Sequence, residues 1–484
     1  MSEITFKSAH ELVAMMRTGQ ISSSELLDHY LTRIKDLDGR TNAVVTLATE
    51  RALEEAKRAD RAQAAGDLLG PLHGLPVSVK DTIETAGVRT TAGDPNMVDH
   101  LPEKDAFTVA RLRRAGAIVF AKTNAPLYGG DAQTYNEVFG VTNNPWDLKR
   151  SPGGSSGGSA VALAAGFTGL DIGSDIGGSV RNPAHYCGIF GHKPSFGLIP
   201  TTGHLPPAPG SLRPVDMAVI GPMARSADDL DLALGVMAGW GALEDRRGPV
   251  ALSPPRRTNL GDYRVAAWLD DQACPVSVDV RTRLEAALEE LEGENVHVNR
   301  DLRPETSLES MHELYCRLNY GVTAAGLPEE LFSKLLARVE FLDDTDIPHR
   351  VAYAQHGTQR LRDWINTDDE RQRLRMEWQR FFEGVDVLLT PVVSTVAIHH
   401  DHTNINSRTI VVNEEPRDYW DQTVWTGMAS AFYLPATVVP IGINDDGLPV
   451  GIQIMGPYLE DRTTIDFANR LSKLIGGFEP PPKL

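Results

Sequence analysis

At 484 residues, with 41 % apolar and 23 % charged side chains, the chain has an ordinary globular composition, which excludes the disordered and fibrous classes. A formal charge of −18 argues against wrapping a nucleic-acid backbone or lying on an anionic membrane, because both need clustered Lys and Arg. Cys187, Cys274 and Cys316 are too few and too odd in number for a disulfide framework, and they fit a reducing compartment.

The first residues, Met-Ser-Glu-Ile-Thr-Phe-Lys, carry no apolar core of a secretion signal. Ser22 and Glu25 then have capping-box spacing, and Leu26, Leu27, Tyr30, Leu31, Ile34 and Leu37 follow at helical intervals. A second, charged helix is expected over 49–65. Residues 70–76 turn into a strand, Val77-Ser78-Val79-Lys80, that ends at Asp81. A lysine closing an apolar β run is unusual, since buried lysines are rare unless paired or functional. Residues 107–115 read as helix and 116–120 as strand, closed by Lys122-Thr123-Asn124. Helix alternating with strand implies a layered, largely parallel α/β arrangement.

Residues 151–191 hold two glycine–serine clusters, 153–159 and 173–179, around a small-residue helix. The longest weakly polar run, Ala160 to Leu170, is too short to span a bilayer, and a soluble, cytoplasmic protein is expected. Loops follow at 193–195 and 206–209, and an apolar helix at 228–237. The Pro- and Arg-rich run 246–259 is the expected hinge. An amphipathic helix, 278–292, leads to Val296-His297-Val298. Residues 300–420 read as helical and charged, with Trp364, Trp378 and Trp420. A core strand at 386–391 and a hairpin of 434–443 with 448–455 close the fold.

Glycine beside a hydroxyl lets backbone approach closely and reach φ > 0, and such loops aim N–H groups at negative oxygens. Gly153-Gly154-Ser155-Ser156-Gly157 fits a nucleophile elbow, which would need an Asp and a His later in the chain. Histidines 185, 192 and 204 follow, none in a telling context. His399-His400-Asp401-His402 has metal-ligand residue types, but adjacent side chains rarely converge on one ion, so a loop near a pocket mouth is expected, with no metal. Cys187 is expected to be a buried structural thiol. The three tryptophans suit either an aromatic pocket or core packing.

Lys80, Ser155 and Ser179 stand in segments that resemble the amidase signature family. These are 74–81, 122–124, 144–147, 152–159, 173–183, 187–194, 221–226 and, near the C-terminus, 434–436 and 447–453. Residues 240–420 resemble it least. Leu127, His192 and Ser195-Phe196 depart from the family pattern without touching the three key positions.

The resemblance implies a large mixed, mostly parallel β-sheet covered on both faces by helices. It implies one domain over 1–484, with a signature core at about 70–226, a helix-rich pocket region at about 240–420 and strands returning at about 430–460. It implies a Ser–Ser–Lys triad: Ser179 as nucleophile, Ser155 as a bridging serine on a cis peptide, and Lys80 as terminal base. Ile176, Gly177, Gly178 and Ser179 would supply oxyanion N–H groups. Ser156, Asp175 and Arg181 would orient the loops, and Asp175 with Arg181 is equally an ordinary structural ion pair. The expected activity is hydrolysis of a linear small-molecule amide, with anilides, esters or carbamates as further substrates and no cofactor. The expected partners are that substrate alone, with no nucleic acid, no membrane and at most a second copy of the chain. The competing expectation is the glutamine-hydrolysing subunit of an aminoacyl-tRNA amidotransferase.

Overall fold

The computed structural model describes residues 4–241, 248–342 and 348–482. Among them an eleven-stranded sheet carries the fold. Its strands are β1 (Val44–Leu47), β2 (Pro76–Lys80), β3 (Ile118–Thr123), β4 (Leu170–Asp175), β5 (Phe190–Lys193) and β6 (Val219–Ala224). They continue with β7 (Val265–Ala267), β8 (Val298–Asn299), β9 (Val387–Pro391), β10 (Ala436–Ile443) and β11 (Pro449–Met455). The spatial order is β1-β3-β2-β4-β6-β5-β10-β11-β9-β7-β8.

The sheet is mixed, as expected, but its pairing is not mostly parallel. Parallel neighbours are confined to β3-β2-β4 at one end and β9-β7-β8 at the other. Every pairing between them, from β4 through β6, β5, β10 and β11 to β9, is antiparallel. The reason is connectivity. The turn Asn444-Asp445-Asp446-Gly447 joins β10 to β11 as a hairpin, and a short link can join only antiparallel neighbours. Every residue of β2, β3, β4, β6, β9 and β11 is buried, so both faces of the sheet are covered there.

Local sequence explains the elements nearest the site. Helix Ser23–Thr41 opens on the anticipated box, with Glu25 N–H donating to Ser22 Oγ and Ser22 N–H to the Glu25 carboxylate. Strand β3 runs past Phe120 to Thr123, and Thr123 pairs with Lys80. The buried helix Gly157–Ala164 consists almost wholly of small residues. A Cβ on Gly158 would stand 2.3 Å from Asn124 N and 2.6 Å from Asn124 O. Only glycine lets this helix touch the backbone beyond β3, and that seat places Ser155 and Ser156 beside the ends of β2 and β4.

Two expectations change. Residues 246 and 247 of the supposed hinge lie outside the described residues, and its later part is tied down. Arg256 donates to the Glu460 carboxylate and to the carbonyls of Phe382 and Val385, while Arg257 pairs with Asp386. Within the helical 300–420 region, Thr409–Val412 and Glu415–Asp418 form a two-stranded antiparallel ribbon. Alternate residues of its first strand are buried, and Asn413 and Glu414 turn it at positive φ, as a tight hairpin requires.

Gly158→Ala should destabilise the protein by about 1–3 kcal/mol, the usual range for overpacking a close contact. A lowered urea midpoint at unchanged slope would show it.

Candidate active site

Two parallel strands, β2 and β4, end side by side, with Ser78 opposite Asp171 and Val79 opposite Ile172. Lys80 closes β2 and is wholly buried. Its Nζ hydrogen-bonds Ser155 Oγ at 2.5 Å and Ser174 Oγ at 3.1 Å. Burial pulls the Lys80 amine down to about 7, against the opposing pull of Asp175 and Asp171, because an ammonium loses its hydration there.

Two other lysines are as deeply buried, and their partners set them apart. Lys122 Nζ donates to the Ile83 carbonyl and to Thr90 Oγ1, and Lys193 Nζ to the carbonyls of Pro194 and Leu434. Carbonyls only accept, so Lys193 meets no group that can take and pass on a proton. Lys122 does meet the hydroxyls of Thr90 and Thr85, which both accept and donate as a serine does. What sets Lys80 apart from both is that it reaches the two glycine–serine clusters. Only Lys80 faces two serines.

The first glycine–serine cluster reaches Lys80 through a cis peptide between Gly154 and Ser155. A Cβ on Gly154 would come within 2.4 Å of the Asp131 carbonyl, so the loop lies flat against the 129–132 segment. Ser156 N–H donates to the Ser179 carbonyl (3.0 Å), and Ser156 Oγ donates to the Ser174 carbonyl (3.3 Å). Ser156 thereby holds the two clusters together.

In the second cluster, Asp175 organises the backbone from within. It accepts from Gly178 N–H (2.9 Å), Val180 N–H (3.0 Å) and Arg181 Nε (3.0 Å) and Nη2 (2.7 Å). Burial alone would raise the Asp175 carboxyl, but Arg181 outweighs it and holds the group at about 2. Arg181 goes on to the Thr426 carbonyl, Gln453 and Ser430. The ion pair and the loop-orienting role are therefore one structure. Gly178 is corrected as an oxyanion donor, since its N–H already donates to Asp175. The N–H groups of Gly177 and Ser179 make no hydrogen bond among the described residues. A Cβ on Gly177 would collide with Tyr315 Oη at 2.4 Å.

Ser179, Ile176, Gly177 and Gly154 line a cavity of about 320 Å³. Ser179 is half-buried there, and its hydroxyl has no hydrogen-bond partner among the described residues. The far wall is aromatic: Tyr315, Tyr320, His349, Tyr353 and Trp420. Sequence reasoning named Trp420 as one option and missed the rest, as it missed Ser174. Tyr315, Asn319 and Thr323 share one face of helix Leu308–Ala324 at four-residue intervals, a stripe legible in principle.

The remaining candidates lie elsewhere. Trp378 packs in the core against Phe381 and Phe382. Trp364 donates to the Leu318 carbonyl, and Arg371 lies over its ring. His185 bonds to the backbone of Gly451 and Thr395, His192 to Asp461 and Thr437, and His204 to Thr82 and the Pro206 carbonyl. None of the three lines the cavity, so none of them can serve as the base of the Ser–His–Asp alternative. The histidine that does line it, His349, bonds Tyr320 Oη and stacks on Trp420. His402 packs on Tyr135, with ring centroids 4.3 Å apart. Cys187 is buried, and burial pushes its thiol up.

The sequence model of the family described as Amidase matches residues 25–465. The chain is 30 % identical to a glutamyl-tRNA(Gln) amidotransferase subunit from Alkaliphilus metalliredigens, over 96 % of this chain and 95 % of that one. It is 31 % identical to the protein of the same name from Roseiflexus sp., over 100 % and 98 %. A solved amidase superposes with a TM-score of 0.78 at 29 % identity, covering 97 % of this chain and 100 % of the other. A 6-aminohexanoate cyclic dimer hydrolase complexed with substrate superposes at 0.79 and 26 % identity, covering 99 % of each.

These relatives overturn the expected partners. A small amide substrate with at most a second copy of the chain does not stand as the whole list, because proteins matched along nearly their full lengths are named for their place in a multi-chain enzyme. Net charge limits polyanion binding but says nothing about a protein face. No helix of the described residues is long and apolar enough to cross a membrane.

Asp175→Ala should lower stability by about 3–5 kcal/mol, because it leaves the Arg181 charge buried without its partner. Equilibrium denaturation of the purified variant checks this. A loss under about 1 kcal/mol would mean that the pair does not hold the loop.

Proposed function

The chain belongs to the amidase family, whose members are hydrolases acting on carbon–nitrogen bonds, and on that premise we propose that it cleaves small-molecule amides through an acyl-enzyme on Ser179. The observation that carries this is a wholly buried amine at about 7, hydrogen-bonded to a serine, behind a cavity that a second serine lines. Ser155 accepts the proton of Ser179 while its own moves to Lys80. Ser179 Oγ then attacks the carbonyl carbon, and the C=O electrons move onto oxygen. That oxygen faces the N–H groups of Ile176, Gly177 and Ser179, aimed at charge that forms only in the transition state.

Collapse breaks the C–N bond, and the relay run in reverse delivers its proton to the departing amine. Water attacks the ester by the same route and releases the carboxylate. Anilides, esters and carbamates pass through the same tetrahedral geometry. The three unpaired cysteines support a cytoplasmic setting.

The names of the relatives favour a second possibility, the glutamine-hydrolysing subunit of an aminoacyl-tRNA amidotransferase. Ammonia release from glutamine, compared with release from simple amides, separates the two.

Ser179→Ala should abolish turnover, and Lys80→Met or Ser155→Ala should reduce kcat by at least ~10⁴-fold with the fold retained, as for residues that act as one unit. A serine-directed phosphonate should label Ser179, and finding the label on Ser155 or Ser156 would sink the assignment. Because Lys80 works without its proton, kcat/KM should rise through about pH 7 and level off above it. A rate that falls across that interval contradicts Lys80 as the base.

A further inference from the structure

The wall opposite Ser179 is a box of rings. His349 stacks on Trp420, with centroids 5.3 Å apart and planes 22° from parallel, and lies 15° from parallel to Tyr353 at 6.5 Å. Tyr320 meets His349 and Tyr353 edge-on, and its hydroxyl bonds His349 Nδ1 at 2.9 Å. The rings therefore hold each other in place. Burial keeps the imidazole below its usual range.

The other side of the cavity carries one formal charge among the described residues, Asp131, and it is fully engaged. Asp131 accepts from Arg408 Nη1 (2.7 Å), Tyr419 Oη (2.5 Å) and its own neighbour Gln133 N–H (3.1 Å). Arg408 is itself buried and bonded onward to Tyr135 and the Thr403 carbonyl. What the cavity leaves open is neutral: Asn319 Oδ1 and Trp420 Nε1 are buried without protein partners. A ligand bearing an ammonium, amidinium or carboxylate would be desolvated there with no counter-charge to meet it.

We propose that the cavity takes an uncharged aromatic ring attached to the scissile amide, and that Trp420, His349 and Tyr353 set this preference by stacking. The inference rests on the amide-hydrolase reading for the identity of the ligand, and it deepens that reading by excluding free glutamine and other zwitterions as good substrates.

The test measures binding apart from chemistry. Ligand-observed NMR titrations of the Ser179→Ala protein with benzamide, its charged isostere benzamidinium, acetamide and glutamine should rank benzamide first by at least ~10-fold. Trp420→Ala in the same background should lose about that factor for benzamide, while Trp420→Phe, which keeps a ring, should retain most of the affinity. Equal binding of benzamide and acetamide overturns the proposal. So does tighter binding of benzamidinium, which would mark a cation cage, or of glutamine. A Trp420→Phe protein no different from a well-folded Trp420→Ala protein removes stacking from the account. If benzamide ranks first but the wild-type enzyme releases no ammonia from it, the pocket inference survives and the hydrolase reading falls. If simple amides are turned over without any ring preference, the reverse holds.

Discussion

The site depends on one constraint: an amine has to stay uncharged inside a sheet that carries acids. Lys80 lies near two buried carboxylates, Asp171 and Asp175, and either as a free anion would favour the ammonium. Both are weakened. Asp175 is neutralised by Arg181 and by two backbone N–H groups. Asp171 is pushed up to about 6 by burial, which the hydroxyls of Ser78, Ser159 and Thr123 only partly offset. Desolvation of Lys80 therefore prevails over the field of its neighbours. Burial holds the Lys80 amine down against carboxylates that still pull the other way.

The same constraint accounts for the glycines. A buried amine relays protons only to groups brought very near it, and here whole loops approach at backbone distance. Gly154 lies against the Asp131 carbonyl, Gly158 against Asn124, and Gly173 would carry a Cβ 2.7 Å from Ser156 Oγ. A side chain at any of these points would push apart the backbone or side-chain groups that now touch there. The small-residue composition of 151–191 is thus a packing requirement before it is a catalytic one.

Much of this was legible in the sequence, and the rest was hidden for identifiable reasons. Strand periodicity exposed β2 and the lysine at its end, and the two clusters stood out by composition. Their division of labour did not follow from residue types. It came from resemblance, and geometry then removed Gly178 from the donor set. Mostly parallel pairing was inferred from local alternation, which cannot see that β10 and β11 enter the middle of the sheet from the far end of the chain. His192 and Ser195, singled out as separate departures from the family pattern, converge on one carboxylate, Asp461. Both hydrogen-bond the same buried carboxylate, a pairing invisible without the fold.

The cavity wall was the least legible part, because it is assembled from segments that never neighbour one another in sequence. Residues 129–132 supply one side, helix Leu308–Ala324 another, and 349–353 with 420–423 the remainder. None carries a motif, since stacking and shape ask only for rings of adequate size, and many sequences satisfy that. The family match runs through this region as well as through the loops that hold Ser155 and Ser179. Relatives named for different amides can therefore share the family match while differing along this wall. Identity near 30 % spread over the whole length shows the family and leaves the wall open. On the proposed reading, the ring box and the Asp131–Arg408 pair, whose charges cancel, are the residues that decide between glutamine and an aromatic amide.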